Sequence, residues 1–141
     1  MKTLYFVSCV SRKKEKPTAA KDLYVSDWFL KARAYVESLR GEWFILSAEH
    51  GLVSPEVVIA PYDKTLNTMP IAERRMWAAR VLAQLERELG GVERVVMLAG
   101  ARYREFLVDA LRGKGLIVEI PLEGMAIGKQ LRWLKHHLGD K

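Results

Sequence analysis

Four short apolar, β-rich runs dominate the sequence: Leu4-Tyr5-Phe6-Val7, Trp43-Phe44-Ile45-Leu46, Val95-Val96-Met97-Leu98 and Leu116-Ile117-Val118-Glu119-Ile120. Continuous rather than alternating hydrophobicity belongs to strands covered on both faces, the condition of a parallel sheet between helices. The segments between and after them read as helices. Ser26 can cap one that carries Phe29, Ala32, Val36 and Leu39 on a single face and stops at Gly41, whose missing Cβ tolerates a left-handed turn. Thr68 and Pro70 open a second with Ile71, Ala78, Leu82, Leu85 and Leu89 inward, closed by Gly90-Gly91. A third gathers Tyr103, Phe106, Leu107 and Ala110, and the last aligns Ile127, Leu131, Leu134 and Leu138 with Lys129, Arg132, Lys135 and His136 outside that stripe.

Alternation of strand and helix predicts an α/β fold: a three-layer, mostly parallel sheet of four or five strands with helices on both faces and right-handed crossovers. A length of 141 residues suits one domain over 1–141, with no second domain or linker. One connection, from Glu49 to about Thr68, is longer than the roughly 12–15 residues usual for a loop inside a compact domain, so it is expected to be functional. Its Val57-Val58-Ile59 is expected to add a short edge strand.

No run of about 18 apolar residues could cross a bilayer, and the start lacks the pattern of a signal peptide. The single cysteine, Cys9, leaves no internal disulfide or multi-cysteine metal site. These features predict a cytoplasmic protein without membrane contact. A formal charge of +6 favours phosphate-bearing partners, with a solvated basic surface as the plain alternative.

Ligands of open parallel sheets bind beyond the carboxyl ends of the strands. The four runs exit into Ser8-Cys9, Ser47-Ala48-Glu49-His50-Gly51, Ala99-Gly100-Ala101 and Pro121-Leu122-Glu123-Gly124, all small or polar. A shared crest pocket is therefore predicted. His50 is its leading candidate as a general acid or base, against the plainer reading of a loop-capping histidine. Gly51 beside it would let the backbone approach a ligand. Glu49 reads as solvated surface. Tyr62 and Asp63, in the long loop, offer a stacking face and a carboxylate, or equally a core plug and a turn. Glu123, before Gly124, is expected to cap the following helix and, if it faces His50, to complete an acid–base pair suited to glycosidic hydrolysis.

The run Arg12-Lys13-Lys14-Glu15-Lys16 follows the first exit and could clamp an anion, with a solvated loop as the plain alternative, and Tyr24 and Trp28 behind it could stack on bases, Trp28 equally as a core residue. Neither GxGxxG nor a P-loop is present, so no nucleotide cofactor of those classes is expected. His136 and His137 diverge by about 100° on a helix, so no metal site is expected. Ser47 lacks a nucleophile elbow.

The series Ser8-Cys9 with Lys13-Lys14, Leu23-Tyr24 with Ser26, Leu46 to Leu52, Pro61-Tyr62-Asp63 with Thr65-Leu66, Leu98-Ala99-Gly100 with Tyr103, and Pro121 to Gly124 with Ile127-Gly128 and Gln130 resembles the bacterial domain of unknown function 6884 over nearly the whole chain. More distantly, the loop from Ser47 to Leu66 is similar to that of the YaaA peroxide-stress proteins, with His50 standing where those carry tyrosine and Asp63 where they carry arginine. The second resemblance implies nucleic acid as partner class and a role in stress or DNA damage.

Together these readings predict a nucleic-acid or nucleotide-binding domain. Its expected ligand-binding residues are Ser8, Cys9, Lys13, Lys14, Tyr24, Ser47, Gly51, Tyr62, Gly100, Tyr103, Gly124 and Gln130. One alternative is an N-glycosidase with His50 and Asp63 or Glu123 as acid–base groups and no cofactor. The other is a non-enzymatic interaction module carrying an exposed apolar patch.

Overall fold

The computed structural model of the chain describes residues 2–8 and 13–139. In chain order its elements are β1 (Lys2–Ser8), β2 (Thr18–Ala19), α1 (Ala20–Leu23), α2 (Asp27–Ser38), β3 (Glu42–Ser47), β4 (Gly51–Val53), β5 (Val58–Ile59), α3 (Ile71–Leu85), β6 (Val92–Leu98), α4 (Ala101–Gly113), β7 (Ile117–Glu119) and α5 (Ile127–Gly139). The main sheet has the order β4-β3-β1-β6-β7. Its pairs are parallel except β4, which runs antiparallel to β3.

The apolar runs explain this arrangement. β1 is central, with Phe6 opposite Phe44 and Met97, and Val7 opposite Ile45 and Leu98. Leu4, Val7, Ile45, Leu46, Val95, Met97 and Leu98 are fully buried, which requires cover on both faces. α2 packs with α5, and α3 packs with α4. The result is the predicted three-layer α/β architecture.

The structure corrects several local expectations. Val58–Ile59 does not extend the main sheet; it pairs antiparallel with Thr18–Ala19 as a separate ribbon. The fifth sheet strand is instead Gly51–Val53, folded back on β3. In α3 the buried face is Arg74, Trp77, Ala78, Val81 and Leu85, whereas Ile71 lies exposed at the first turn. Ile127, likewise at a helix start, is exposed, as is Leu39 just beyond the end of α2. Apolar residues at helix ends overhang the sheet rather than face it.

Ser26 caps α2 as expected, its Oγ accepting from Phe29 N–H at 3.2 Å. The left-handed residue after α2 is Arg40, with φ 56°, not Gly41. Gly41 is required for a different reason: the ring of Tyr5 occupies the space a Cβ would take. A Gly41→Ala substitution therefore forces the ring aside and is expected to cost about 1–3 kcal/mol, read from chemical denaturation. A loss below about 0.5 kcal/mol, the range of an ordinary surface change, would show that the ring moves freely.

Polar ties lock the helices. Arg33 of α2 donates to Asp22 Oδ1 at 2.7 Å and to Lys21 O at 2.8 Å, fixing α1. That hydrogen bond from Arg33 holds the Asp22 carboxyl below its usual range. Arg74, buried, donates to Glu105 at 2.7 Å and joins α3 to α4.

Candidate functional site

The order of the parallel strands sets the position of the site. From β1 the chain crosses to β3 on one side; from β6 it crosses to β7 on the other. Diverging crossovers leave a crevice at the carboxyl ends of the two central strands, where α/β sheets of this kind bind ligands. A cleft of about 230 Å³ lies there, lined by Trp28, Gly100, Ala101, Arg104, Leu122 and Gln130, with Ala99, Gly124 and Met125 completing the wall.

The polar groups of the cleft are held in place. Trp28 Nε1 donates to Gln130 Oε1 at 2.8 Å, and Gln130 Nε2 donates to Met125 O at 2.9 Å. The carboxamide thus has a fixed orientation, with one N–H and one lone pair beyond those bonds. Arg104 donates to Ala99 O at 2.8 Å, curling back over the start of its own helix, and its Nη2 is 3.9 Å from Glu123 Oε2. The first turn of α4 has no side-chain cap at Gly100, so its N–H groups and the helix dipole add positive character beside Arg104. Ser8, buried at the end of β1, lies with its Oγ 3.4 Å from Gly100 N.

A second polar cluster sits at the end of β3. Ser47, fully buried, accepts from His50 N–H at 3.0 Å through its Oγ and donates to the Tyr62 hydroxyl at 2.8 Å. The Tyr62 and Tyr24 hydroxyls are 2.6 Å apart. The His50 ring meets Tyr62 edge-on with centroids 5.7 Å apart, and the Lys13 ammonium lies 4.5 Å from the Tyr62 centroid. Trp77 donates to Ser47 O at 2.8 Å from below. Tyr62→Phe deletes the hydroxyl shared by Ser47 and Tyr24, and an expected loss of about 1–3 kcal/mol follows from partly desatisfied buried groups. Thermal unfolding measures it; an unchanged midpoint would reduce the chain of hydroxyls to coincidence.

The structure groups the sequence-predicted residues unevenly. Lys13, Tyr24, Ser47, His50 and Tyr62 come together, but Tyr24 is fully buried in the core against Phe29 and offers no face for a base to stack on. Gly100, Gly124 and Gln130 meet in the cleft, with Ser8 between the two groups. Asp63 is exposed beside Tyr62. Glu123 lies beyond β7, three strand positions from β3, a separation of about 14 Å at the usual interstrand spacing. Among the described residues no hydrogen bond or ion pair joins His50, Asp63 and Glu123.

Other expected roles differ in detail. α5 begins at Ile127, so Glu123 does not cap it; Gly124, φ 79°, makes a turn first. Tyr103 is buried and its hydroxyl lies 3.4 Å from Leu66 N, where it anchors the long loop. Lys14 is exposed, with its backbone N–H bonded to Leu23 O. The space beside Gly51 is filled by Gln84, not open to a ligand. Cys9 and Arg12 lie outside the described residues.

Arg104 and Gln84 went unnoticed in the sequence. Arg104 had a signal, since the fourth residue after a bare helix start lies one turn above it. Gln84 had none. Among the described residues no group of three or more His, Cys, Asp or Glu side chains could hold a metal ion, and no helix is long and apolar enough to cross a membrane.

A doubly wound sheet with its polar crest at the switch point defines the class of protein. Residues 4–136 match the model of the family of unknown function DUF6884, and the chain belongs to that family. It is also similar to the uncharacterized protein YfjM of Bacillus subtilis (strain 168), 30% identical over 151 residues that span 100% of this chain and 98% of the relative. No solved structure matches the chain.

Proposed function

We propose that the domain binds a nucleotide or nucleic acid at its crest, seating a base in the switch-point cleft with phosphate near Arg104. The observation that carries this reading is the cleft itself. It combines an indole, a carboxamide of fixed orientation, an arginine and an uncapped helix start within about 230 Å³. Gln130 offers one further donor and one acceptor, the complement of a base edge, and Arg104 suits a phosphate oxygen. The net charge of +6 points the same way, as does the resemblance of the Ser47–Leu66 loop to the YaaA peroxide-stress proteins with their link to DNA.

Separation of His50 from Glu123 favours binding over base release, because an acid–base pair must reach one scissile bond. Titration of the purified protein with mononucleotides, single- and double-stranded DNA and RNA at two salt concentrations tests the reading. Binding of at least one of these probes, weakened in a Gln130→Ala variant, is the expected result. Absence of binding to all of them at low salt overturns it.

A further inference from the structure

The cleft does not end at Gly124 and Met125. The same two residues border a second hollow of about 540 Å³ along the outer face of α5, lined also by Glu123, Lys129, Arg132, Trp133, His136 and His137. Positions 129, 132, 133 and 136 fall within about 100° of one another on a helix. Leu134, on the other side, is fully buried. From Gly124 to Gly139 the chain carries Lys129, Arg132 and Lys135 and no carboxylate.

The aromatic part of this hollow is a set of rings in mutual contact. Trp133 stacks on His137 with centroids 3.7 Å apart and 23° between the planes, and His137 Nδ1 is 2.8 Å from Trp133 O. Tyr35 braces Trp133 edge-on at 5.0 Å. Rings held in place beside cations are the platform on which unpaired bases stack while phosphates follow the charge. A duplex hides its base faces and gains little from such a surface.

We infer that the hollow continues the crest cleft and that the ligand is a single-stranded nucleic acid. One nucleotide enters the cleft, and its neighbours lie along α5 with phosphates at Lys129 and Arg132 and a base against the Trp133–His137 pair. The inference rests on the reading of the cleft as a nucleotide site. Size is consistent with a ligand that extends past one nucleotide: the cleft alone falls below the roughly 300–1,000 Å³ of ordinary small-molecule sites, and the adjoining hollow adds about 540 Å³.

Fluorescence anisotropy with thymidine and adenosine probes of one, two, four and eight nucleotides, and with the eight-mer as a duplex, tests this on the full chain. Affinity is expected to rise about tenfold or more from one to four nucleotides, since each stacked base adds to binding. The Lys129→Ala/Arg132→Ala double variant should weaken the single-stranded eight-mer about tenfold. It should also reduce the salt slope by about 1.4, two phosphates at roughly 0.7 each, and leave mononucleotide affinity unchanged. A control, Arg87→Ala/Lys114→Ala, removes two exposed cations at the opposite end of the sheet and should leave the slope intact. Equal loss in the control, or tighter binding of the duplex, overturns the inference. Mononucleotide binding without gain on lengthening overturns it too, while leaving the cleft reading in place. Failure of every probe removes the cleft reading itself.

Discussion

Alanine at position 51 is expected to lower the stability of the domain by about 2–5 kcal/mol, a large part of what a single domain possesses. Two costs combine. Gly51 has φ 74°, a left-handed conformation that costs an L-residue about 1–2 kcal/mol. A Cβ there would also collide with the Gln84 side chain, and overpacking of this kind costs about 1–3 kcal/mol. Gln84 cannot simply withdraw, because its Oε1 accepts from Leu52 N–H at 2.8 Å and its Nε2 donates to His50 O at 3.2 Å. The carboxamide pins the turn between β3 and β4 from both sides and so fixes the backbone beneath His50. Urea unfolding of Gly51→Ala in the parent and in a Gln84→Ala background separates the two costs. In the second background the collision is gone, and the effect should shrink to about 1–2 kcal/mol, the conformational part. An undiminished effect there would mean that Gln84 is not what the turn closes on.

That turn also marks where the sequence stops being legible. The buried strands could be read because parallel strands covered on both sides are written as unbroken apolar runs, and the order of elements then follows from chain geometry. β4 could not. Three residues, Gly51-Leu52-Val53, carry no period, and beside their pairing with Ser47, Leu46 and Ile45 the Leu52 N–H donates to a side chain 32 positions away, Gln84. The same limit applies to Gly41. A glycine after a helix suggests a left-handed cap, yet Arg40 takes that conformation and Gly41 makes room for Tyr5, a contact between elements that no local pattern encodes. Within the crest, strand ends predicted which segments would meet, and Ser8, Ser47 and Gly100 are where that rule puts them, whereas Tyr62 comes from the long loop and Gln130 from the last helix. It could not predict which strand would lie beside which. Because β1 and β6 separate β3 from β7, His50 and Glu123 stand on opposite flanks.

Opposite responses to two neighbouring substitutions provide the sharpest test of the cleft. Arg104→Ala should weaken nucleotide binding about 10–100-fold, the equivalent of one hydrogen bond to a charged partner. Glu123→Gln should instead strengthen it, by up to about fivefold. On the proposed reading the Glu123 carboxylate, 63% exposed and 3.9 Å from Arg104 Nη2, would compete with an incoming phosphate for the same guanidinium, and an exposed pair of this kind amounts to no more than about 1 kcal/mol. Both changes leave the core untouched: Arg104 loses its bond to Ala99 O, about 1 kcal/mol of stability, and Glu123 loses a solvated charge. Isothermal titration with a mononucleotide measures both. The signs carry the argument, because a catalytic Glu123 makes a different prediction: Glu123→Gln would then abolish release of free base from a nucleotide while leaving affinity nearly constant. A gain in affinity without turnover in either protein identifies Glu123 as a gate on the anion site. Loss of base release in the variant would restore the carboxylate as an acid–base group and require His50, on the far flank, to act without it.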